Sequence, residues 1–447
     1  MSDLLDNASR RAQRYLASLE TRAVAPSPEA LAALAGFDRP LPQQLSSPEE
    51  VLAELDEFGS PATMASAGGR FFGFVIGGSL PVTVAANWLA TAWDQNAGLV
   101  VTSPVNARLE KVALEWLKDL FHLPAESAGG FVTSATAANF SALAAARHAL
   151  LARAGWDVEA QGLFGAPPIT VVVGEEVHAS VQKALSMVGF GRERVVRVPS
   201  DEQGRMRLAE FPQVTDRTVV CVQAGNVNTG AFDPIAEICE RARSRGAWVH
   251  VDGAFGLWAA AAPTRASLAR GLGSADSWAT DAHKWLNVPY DSGLVLTRDA
   301  QSLRAAMSVG AAYLAQGEER VPYQYTPDFS RRARGVEVWA ALRQLGRAGL
   351  ADLIERTCRF AQTFAAGLAR AGHRVLNDVV LNQVLVSFGS PERTREVIAR
   401  VQEDGTCWCG GTLWQGHTAM RISVSSWATD EADVERSLAA ILRAANR

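Results

Sequence analysis

From about residue 130 to 300, short runs of apolar, largely β-branched residues alternate with stretches whose apolar positions recur at helical spacing. The runs predict strands over Thr170–Val173, Val195–Val198, Thr218–Gln223, Trp248–Val251, Ser277–Thr280 and Gly293–Leu296. The intervening periodicity predicts helices over Ala137–Ala154, Ala179–Met187, Pro234–Arg245 and Ser302–Met307. Near-continuously apolar strands separated by helices point to a parallel-rich α/β sheet with helices on both faces. Upstream, Ser103–Pro104 opens a helix over Val105–Phe121 with its charges on one face, and Arg10–Thr21 and Pro28–Gly36 also carry helical spacing. Ser47 followed by Glu49 and Glu50 reads as a helix start. The stretch GGRFFGFVIGGSLP, within a Gly- and Phe-rich region, predicts a loop that approaches something closely. Downstream, 331–371 predicts a long helix and its successor. The tail has the texture of a smaller α+β domain, with Arg374–Val386, Ala419–Ser425 and a closing helix Asp430–Ala445. The expected organisation is an N-terminal helical segment (1–75), a large domain (76–320) and a small C-terminal domain (321–447).

A chain of 447 residues has room for roughly two or three domains. Its hydrophobic content of 48% and charged content of 20% are those of a globular protein and exclude wholesale disorder. The 43 Lys and Arg nearly balance the 47 Asp and Glu, so a net charge of −4 gives no electrostatic case for nucleic acid or a membrane surface. No run approaches the ~18–20 uncharged apolar residues of a membrane span, and the charged N-terminus lacks the apolar centre of a signal peptide. Five scattered cysteines without zinc-type spacing agree with a cytoplasmic protein that binds no metal through them.

Five segments carry candidate chemistry. In TDAHKWLNVPYDSG (280–293), Lys284 follows a strand and precedes an apolar Trp. A partly desolvated lysine has a lowered pKa and can form a Schiff base, although a surface loop lysine would look the same. In HVDGAFG (250–256), a strand delivers Asp252 at its C-terminal end, where parallel sheets bind ligands. A buried aspartate needs a cationic partner. A protonated pyridine nitrogen would serve, and pyridoxal phosphate held that way becomes an electron sink. The small Gly253 and Ala254 would let a flat ligand lie close to the backbone. In GGFVTSATAANFSAL (129–143), small and hydroxylated residues lead into a helix whose free N–H groups suit a phosphate, with Thr136 adding a hydroxyl. In EEVHASVQKAL (175–185), His178 opens a helix after a strand and could stack on a planar ring. In GNVNTGAFDPI (225–235), Asn226 could reach a ring substituent or serve the turn.

Together these residues resemble the group II pyridoxal-phosphate-dependent decarboxylases, which include the aromatic amino acid, histidine and glutamate decarboxylases. The likeness runs in order over roughly residues 60–430. It rests on H-V-D-x-A, the following A-D-S-W, H-K-W, S-P near 103, A-T-A-A-N at 135–139, and R-R-x-R…W at 331–339. The resemblance implies a fold type I enzyme: a large domain with a mostly parallel seven-stranded sheet, a small α+β domain and an N-terminal helical segment. It also implies a homodimer with active sites at the subunit interface. By motif, Lys284 would be the Schiff-base lysine, Asp252 would bind the pyridine nitrogen, Ala254 would lie under the ring and His178 over it. Ala135 and Thr136 would hold the phosphate with His283 nearby, and Asn226 would sit by the ring hydroxyl. Arg421, in A-M-R-I-S, resembles an arginine that anchors a substrate carboxylate.

The chain departs from that pattern at four places. Ser134 stands where the family usually has Gly, Asp281 stands where Asn is common, and Gly69–Arg70 replaces a His–Pro pair. The stretch EERVPYQYTPDFSRRARG is short for a mobile loop that would supply a proton-donating tyrosine; Tyr323 and Tyr325 are its candidates. The expected reaction is L-amino acid decarboxylation. Phe71, Phe72, Phe74 and Trp88, in segments expected to line the pocket, suggest an aromatic or apolar substrate, and Phe72 is the substrate-binding candidate among them. Aldehyde formation, carbon–carbon lyase or aldolase chemistry, and transamination are alternatives on the same coenzyme; a binding protein without turnover is a further one.

Overall fold

The computed structural model describes residues 2–309 and 320–446. The apolar runs form one seven-stranded sheet: β1 Ala128–Val132, β2 Thr170–Gly174, β3 Val195–Val198, β4 Thr218–Gln223, β5 Trp248–Asp252, β6 Ser277–Asp281 and β7 Gly293–Thr297. Its order is β1-β7-β6-β5-β4-β2-β3. Only β7 runs against its neighbours; β6, β5, β4, β2 and β3 are mutually parallel. Every residue of β4, β5, β6 and β7 is buried, as expected for a sheet covered on both faces. Helix Ala135–Arg153 packs across this sheet, and its alanine-rich face lies in the cores on Val132, Val171 and Val173.

The predicted strands are present, and four of them run one residue further, which places Asp252 and Asp281 at strand ends. Strand β1 was not predicted. Gly129 and Gly130 have low strand propensity, yet the fold requires them. A Cβ at Gly129 would stand 2.2 Å from the Val295 carbonyl oxygen, and one at Gly130 would stand 2.8 Å from that of Tyr325.

The chain divides into two compact units. The larger comprises Ser79–Gln362 and Asn377–Val384, the smaller Met1–Gly78, Thr363–Leu376 and Leu385–Arg447. Residues 321–362, expected in the small domain, therefore belong with the large sheet. The reason is a buried ion cluster. Glu110 accepts from Arg331 at 2.8 Å and pairs with Arg320 at 3.3 Å, while the same two arginines donate to the Phe131 and Gly129 carbonyls of β1.

A second sheet, mostly in the smaller unit, is ordered β10-β11-β9-β8, with β8 Arg374–Val375, β9 Gln383–Ser387, β10 Gly410–Trp414 and β11 His417–Ser423. The Gly- and Phe-rich stretch joins this unit. Phe72 N donates to the Trp408 carbonyl at 2.8 Å, and Ser423 N to the Phe72 carbonyl at 2.9 Å. Arg70 is buried and its guanidinium donates to the carbonyls of Thr406, Glu20 and Arg22, so it ties the N-terminal segment to the C-terminal one. Ser47 caps its helix through a reciprocal pair with Glu50, as its sequence predicts. No helix among the described residues is long and apolar enough to cross a membrane.

Candidate active site

Three parallel strands end side by side at Gln223, Asp252 and Asp281, with Gln223 opposite Asp252 and Asp252 opposite Ala279. This is the carboxyl edge at which open α/β sheets bind ligands. The chain leaving β6 carries Lys284, and its backbone is firmly held. The amides of Ala282 and His283 both donate to the Ser292 carbonyl, and the fully buried Trp285 donates from Nε1 to Thr357 Oγ1 at 3.0 Å. Lys284 Nζ lies 3.1 Å from Asp281 Oδ2.

Asp252 is buried, and burial pushes its carboxyl above the usual range while the nearby charges of His178 and Lys284 act in the opposite sense. No ion pair among the described residues reaches it. A buried carboxylate in this state is short of one cation, and a protonated ring nitrogen would supply it. Its polar surroundings form a chain. Ser180 Oγ lies 2.7 Å from His178 Nδ1 and 3.5 Å from Asp252 Oδ2, and it accepts from Asn139 Nδ2 at 3.3 Å. Asn139 Oδ1 in turn meets His250 Nε2 at 2.8 Å. His178 caps its helix through Nδ1, which accepts from Ser180 N. Its other ring nitrogen thus carries the hydrogen when the imidazole is neutral.

The helix beginning at Ala135 aims its N-terminus at the same edge. Ser134 makes no side-chain cap; instead the Ala135 N–H donates to Asp281 Oδ1 at 2.6 Å. A Cβ at Gly293 would fall within 2.5–2.8 Å of the Ser134 backbone, so the close approach of this turn to β7 needs glycine. His283 accepts the Ser292 N–H at Nδ1, and its Nε2 lies 3.6 Å from Asp281 Oδ1. Burial lowers its pKa.

Thus Ala135, Thr136, His178, Asp252, Ala254, His283 and Lys284 gather at one edge of one sheet, the Ala254 N–H donating to Asp252 Oδ1 at 3.3 Å. Asn226 is buried with its amide engaged in the turn: Oδ1 accepts from Asn228 N and Thr229 N, and Nδ2 donates to Gln223. The two loop tyrosines are both buried in a short 3-10 turn, Pro322–Tyr325: Tyr323 stacks on Phe329, and Tyr325 packs with Val132 and Ala138 beneath the Arg320 guanidinium. Phe72 is likewise a core side chain, edge-on to Phe364 in the smaller unit. Arg421 lies on β11 of that unit, where desolvation lowers its pKa.

Sequence reasoning missed Tyr290. Though the residue is 56% exposed, its ring stacks on His283 with centroids 4.1 Å apart, and local desolvation together with the Asp281 charge pushes its phenol up to about 12. The available signal was its place six residues after Lys284, within the same segment.

A lysine held on a rigid turn, a buried carboxylate lacking a cation and a helix N-terminus opening on the same edge fit pyridoxal 5'-phosphate, and place the protein among fold type I coenzyme enzymes. The chain belongs to the pyridoxal-dependent decarboxylase family, whose conserved-domain model matches residues 28–389. It is a pyridoxal-phosphate-dependent amino acid carboxy-lyase. An aromatic-L-amino-acid decarboxylase of Bacillus atrophaeus is 29% identical over 74% of this chain and 69% of that protein. A phenylacetaldehyde synthase of Arabidopsis thaliana is 26% identical over 79% of this chain and 77% of that protein. The solved Oryza sativa TDC with PLP and tryptamine shares the fold with a TM-score of 0.91 at 24% identity, over 100% of this chain and 97% of that one.

Proposed function

We propose that the enzyme decarboxylates an L-amino acid with an aromatic or apolar side chain to the corresponding amine. The observation that carries this reading is the placement of Asp252 at the end of β5 and of Lys284 just beyond the end of the neighbouring β6. Lys284 would hold the coenzyme aldehyde, Asp252 the proton on its ring nitrogen and Ala135 with Thr136 its phosphate. His178 and Ala254 would flank the ring, and His283 and Asn226 would lie nearby. When bound, the coenzyme supplies a sink for the electrons of the broken bond between Cα and the carboxylate. Asp252, kept from water, favours the protonated nitrogen on which that sink depends. Arg421 would bind the substrate carboxylate. The aromatic preference is supported by the names of the relatives, which include an aromatic-L-amino-acid decarboxylase and a tryptophan decarboxylase.

The enzyme would work as a homodimer in the cytoplasm. The five cysteines are free and buried, which suits a reducing compartment. Aldehyde formation is the second reading. It is favoured by the similarity to phenylacetaldehyde synthases and by the burial of both candidate proton-donating tyrosines. In that reaction O₂ would be the oxidant and water would be consumed; the aldehyde, CO₂ and ammonia would form, with O₂ reduced to hydrogen peroxide.

The test is CO₂ release from a panel of L-amino acids by coenzyme-loaded protein, with O₂ uptake and organic products followed in parallel. CO₂ with a matching amine and no O₂ uptake is the expected outcome. CO₂ with aldehyde and O₂ uptake would establish the second reading. A coenzyme spectrum that responds to one amino acid without CO₂ release would overturn both.

A further inference from the structure

We infer that Asp281 is a built-in rival of the coenzyme phosphate: its carboxylate holds the helix N-terminus and Lys284 when the coenzyme is absent, and it weakens the hold on any phosphate ester seated there. The inference rests on the pyridoxal phosphate reading above. Asp281 ends β6 and its side chain is only 3% exposed. Its backbone cannot swing away easily. Asp281 N donates to the Ala254 carbonyl at 2.9 Å, and the buried Trp258 Nε1 donates to the Asp281 carbonyl at 3.0 Å. One carboxylate oxygen takes the first N–H of a 19-residue helix, and the other pairs with the Lys284 ammonium.

Two independent features show that this is an anion's seat rather than a chance contact. The N-cap residue, Ser134, leaves the helix end uncapped from its own side, so the cap is supplied by a residue 146 positions away. The glycine at 293 keeps that helix entry pressed against β7 beside Asp281. A free helix N-terminus favours negative charge. Here the favoured charge is already present in the chain. A phosphate held at Ala135 and Thr136 would compete with a carboxylate that already takes the Ala135 N–H. Two like charges at close range in a poorly solvated site repel each other. The same carboxylate engages Lys284 Nζ at 3.1 Å, the atom the coenzyme aldehyde would have to reach. Both contacts work against the seating of the coenzyme.

The experiment separates the phosphate from the lysine. Pyridoxine 5'-phosphate carries the phosphate but has no aldehyde, so it cannot bond to Lys284; pyridoxine lacks both. Equilibrium dissociation constants of the two ligands are measured by calorimetry on coenzyme-free wild type and Asp281→Asn, which keeps an oxygen for the Ala135 N–H. The expected result is pyridoxine 5'-phosphate bound about tenfold tighter or more by the variant, with pyridoxine unchanged within about twofold. Asp281→Ser, which also removes the charge, should move in the same direction and stands in if the amide variant does not fold. Equal or weaker binding of the phosphate ester would overturn the inference, as would an equal gain for both ligands. Failure of the coenzyme reading itself has a different signature: borohydride treatment of wild type with pyridoxal phosphate would leave no adduct on Lys284.

Discussion

Asp252 shows how a single residue sets the chemistry. Its carboxylate is buried at a strand end, its ionisation is opposed by desolvation, and Ser180 and the Ala254 N–H give it directional partners but no full positive charge. A cationic ring nitrogen would complete it. Asp252→Asn should therefore weaken coenzyme binding and lower kcat on the order of a thousandfold, because a neutral amide no longer holds the ring proton. An absorbance titration with pyridoxal phosphate and a steady-state assay check this; near-normal turnover would remove the electron-sink role. Lys284 and Asp252 were legible in the sequence because each follows an apolar strand at the sheet's carboxyl edge. The burial of Tyr323 and Tyr325 was not legible for a physical reason: burial is a tertiary property, and two tyrosines in a polar, Pro-containing stretch look like exposed loop residues until the packing partners are known. Asn226 had two readings in sequence, ring contact and turn, and its amide bonds within the turn through Oδ1 and to Gln223 through Nδ2.

At the level of elements, the strands with continuous apolar runs were readable almost to the residue, while β1 was hidden by its two glycines. Its position is fixed by what clasps it. Glu110 is completely buried in helix Pro104–Leu120, Arg331 and Arg320 converge on it, and Asn106 adds a bond at 3.1 Å. Both guanidiniums also hold β1 carbonyls, so one carboxylate organises the helix, the strand and the segment leading into Gly335–Arg370. Glu110→Gln keeps the shape but leaves two guanidiniums without a counter-charge, Arg331 being itself buried. Breaking a buried ion pair from one side costs about 3–5 kcal/mol. Thermal unfolding should show a marked fall in Tm, and limited proteolysis should cut earlier near residue 320. An unchanged Tm would mean that the cluster is stabilised by its hydrogen bonds rather than by its charge. Sequence could not reveal this cluster, because its members are separated by about two hundred positions and meet only through the fold.

Across the whole molecule, two properties follow from burial and exposure. His250 is enclosed in the sheet between Ser277 and Asn139, and desolvation lowers its pKa to about 3. The unfolded chain takes up this proton near pH 6.5, whereas the folded chain resists until about 3, so the stability His250 contributes is present above 6.5 and lost as pH falls. Asp233, pushed up to about 6 by burial, has the opposite sign, and its contribution is lost as pH rises through that value. Comparing wild type with His250→Gln cancels Asp233. Below pH 6.5 the wild type should lose about 1.4 kcal/mol more per pH unit than the variant, as read by denaturant unfolding; parallel curves would assign the proton elsewhere. The second property concerns assembly. Helix Pro81–Trp93 of the larger unit leaves Trp88, Leu89 and Trp93 exposed, and Val101 and Val105 follow on the same stretch of chain. Large exposed apolar side chains such as these would be buried if they formed an interface, and a second copy of the chain is the occupant the homodimer proposal requires. Leu89 and Trp93 lie one helical turn apart on one face, so Leu89→Glu with Trp93→Glu places two charges at the proposed contact. The double variant should sediment as a monomer with unchanged circular dichroism, while the wild type sediments as a dimer at micromolar concentration. If the variant remained dimeric, this face would not be the dimer contact; if the wild type were itself a monomer, the active site would have to be completed within a single chain.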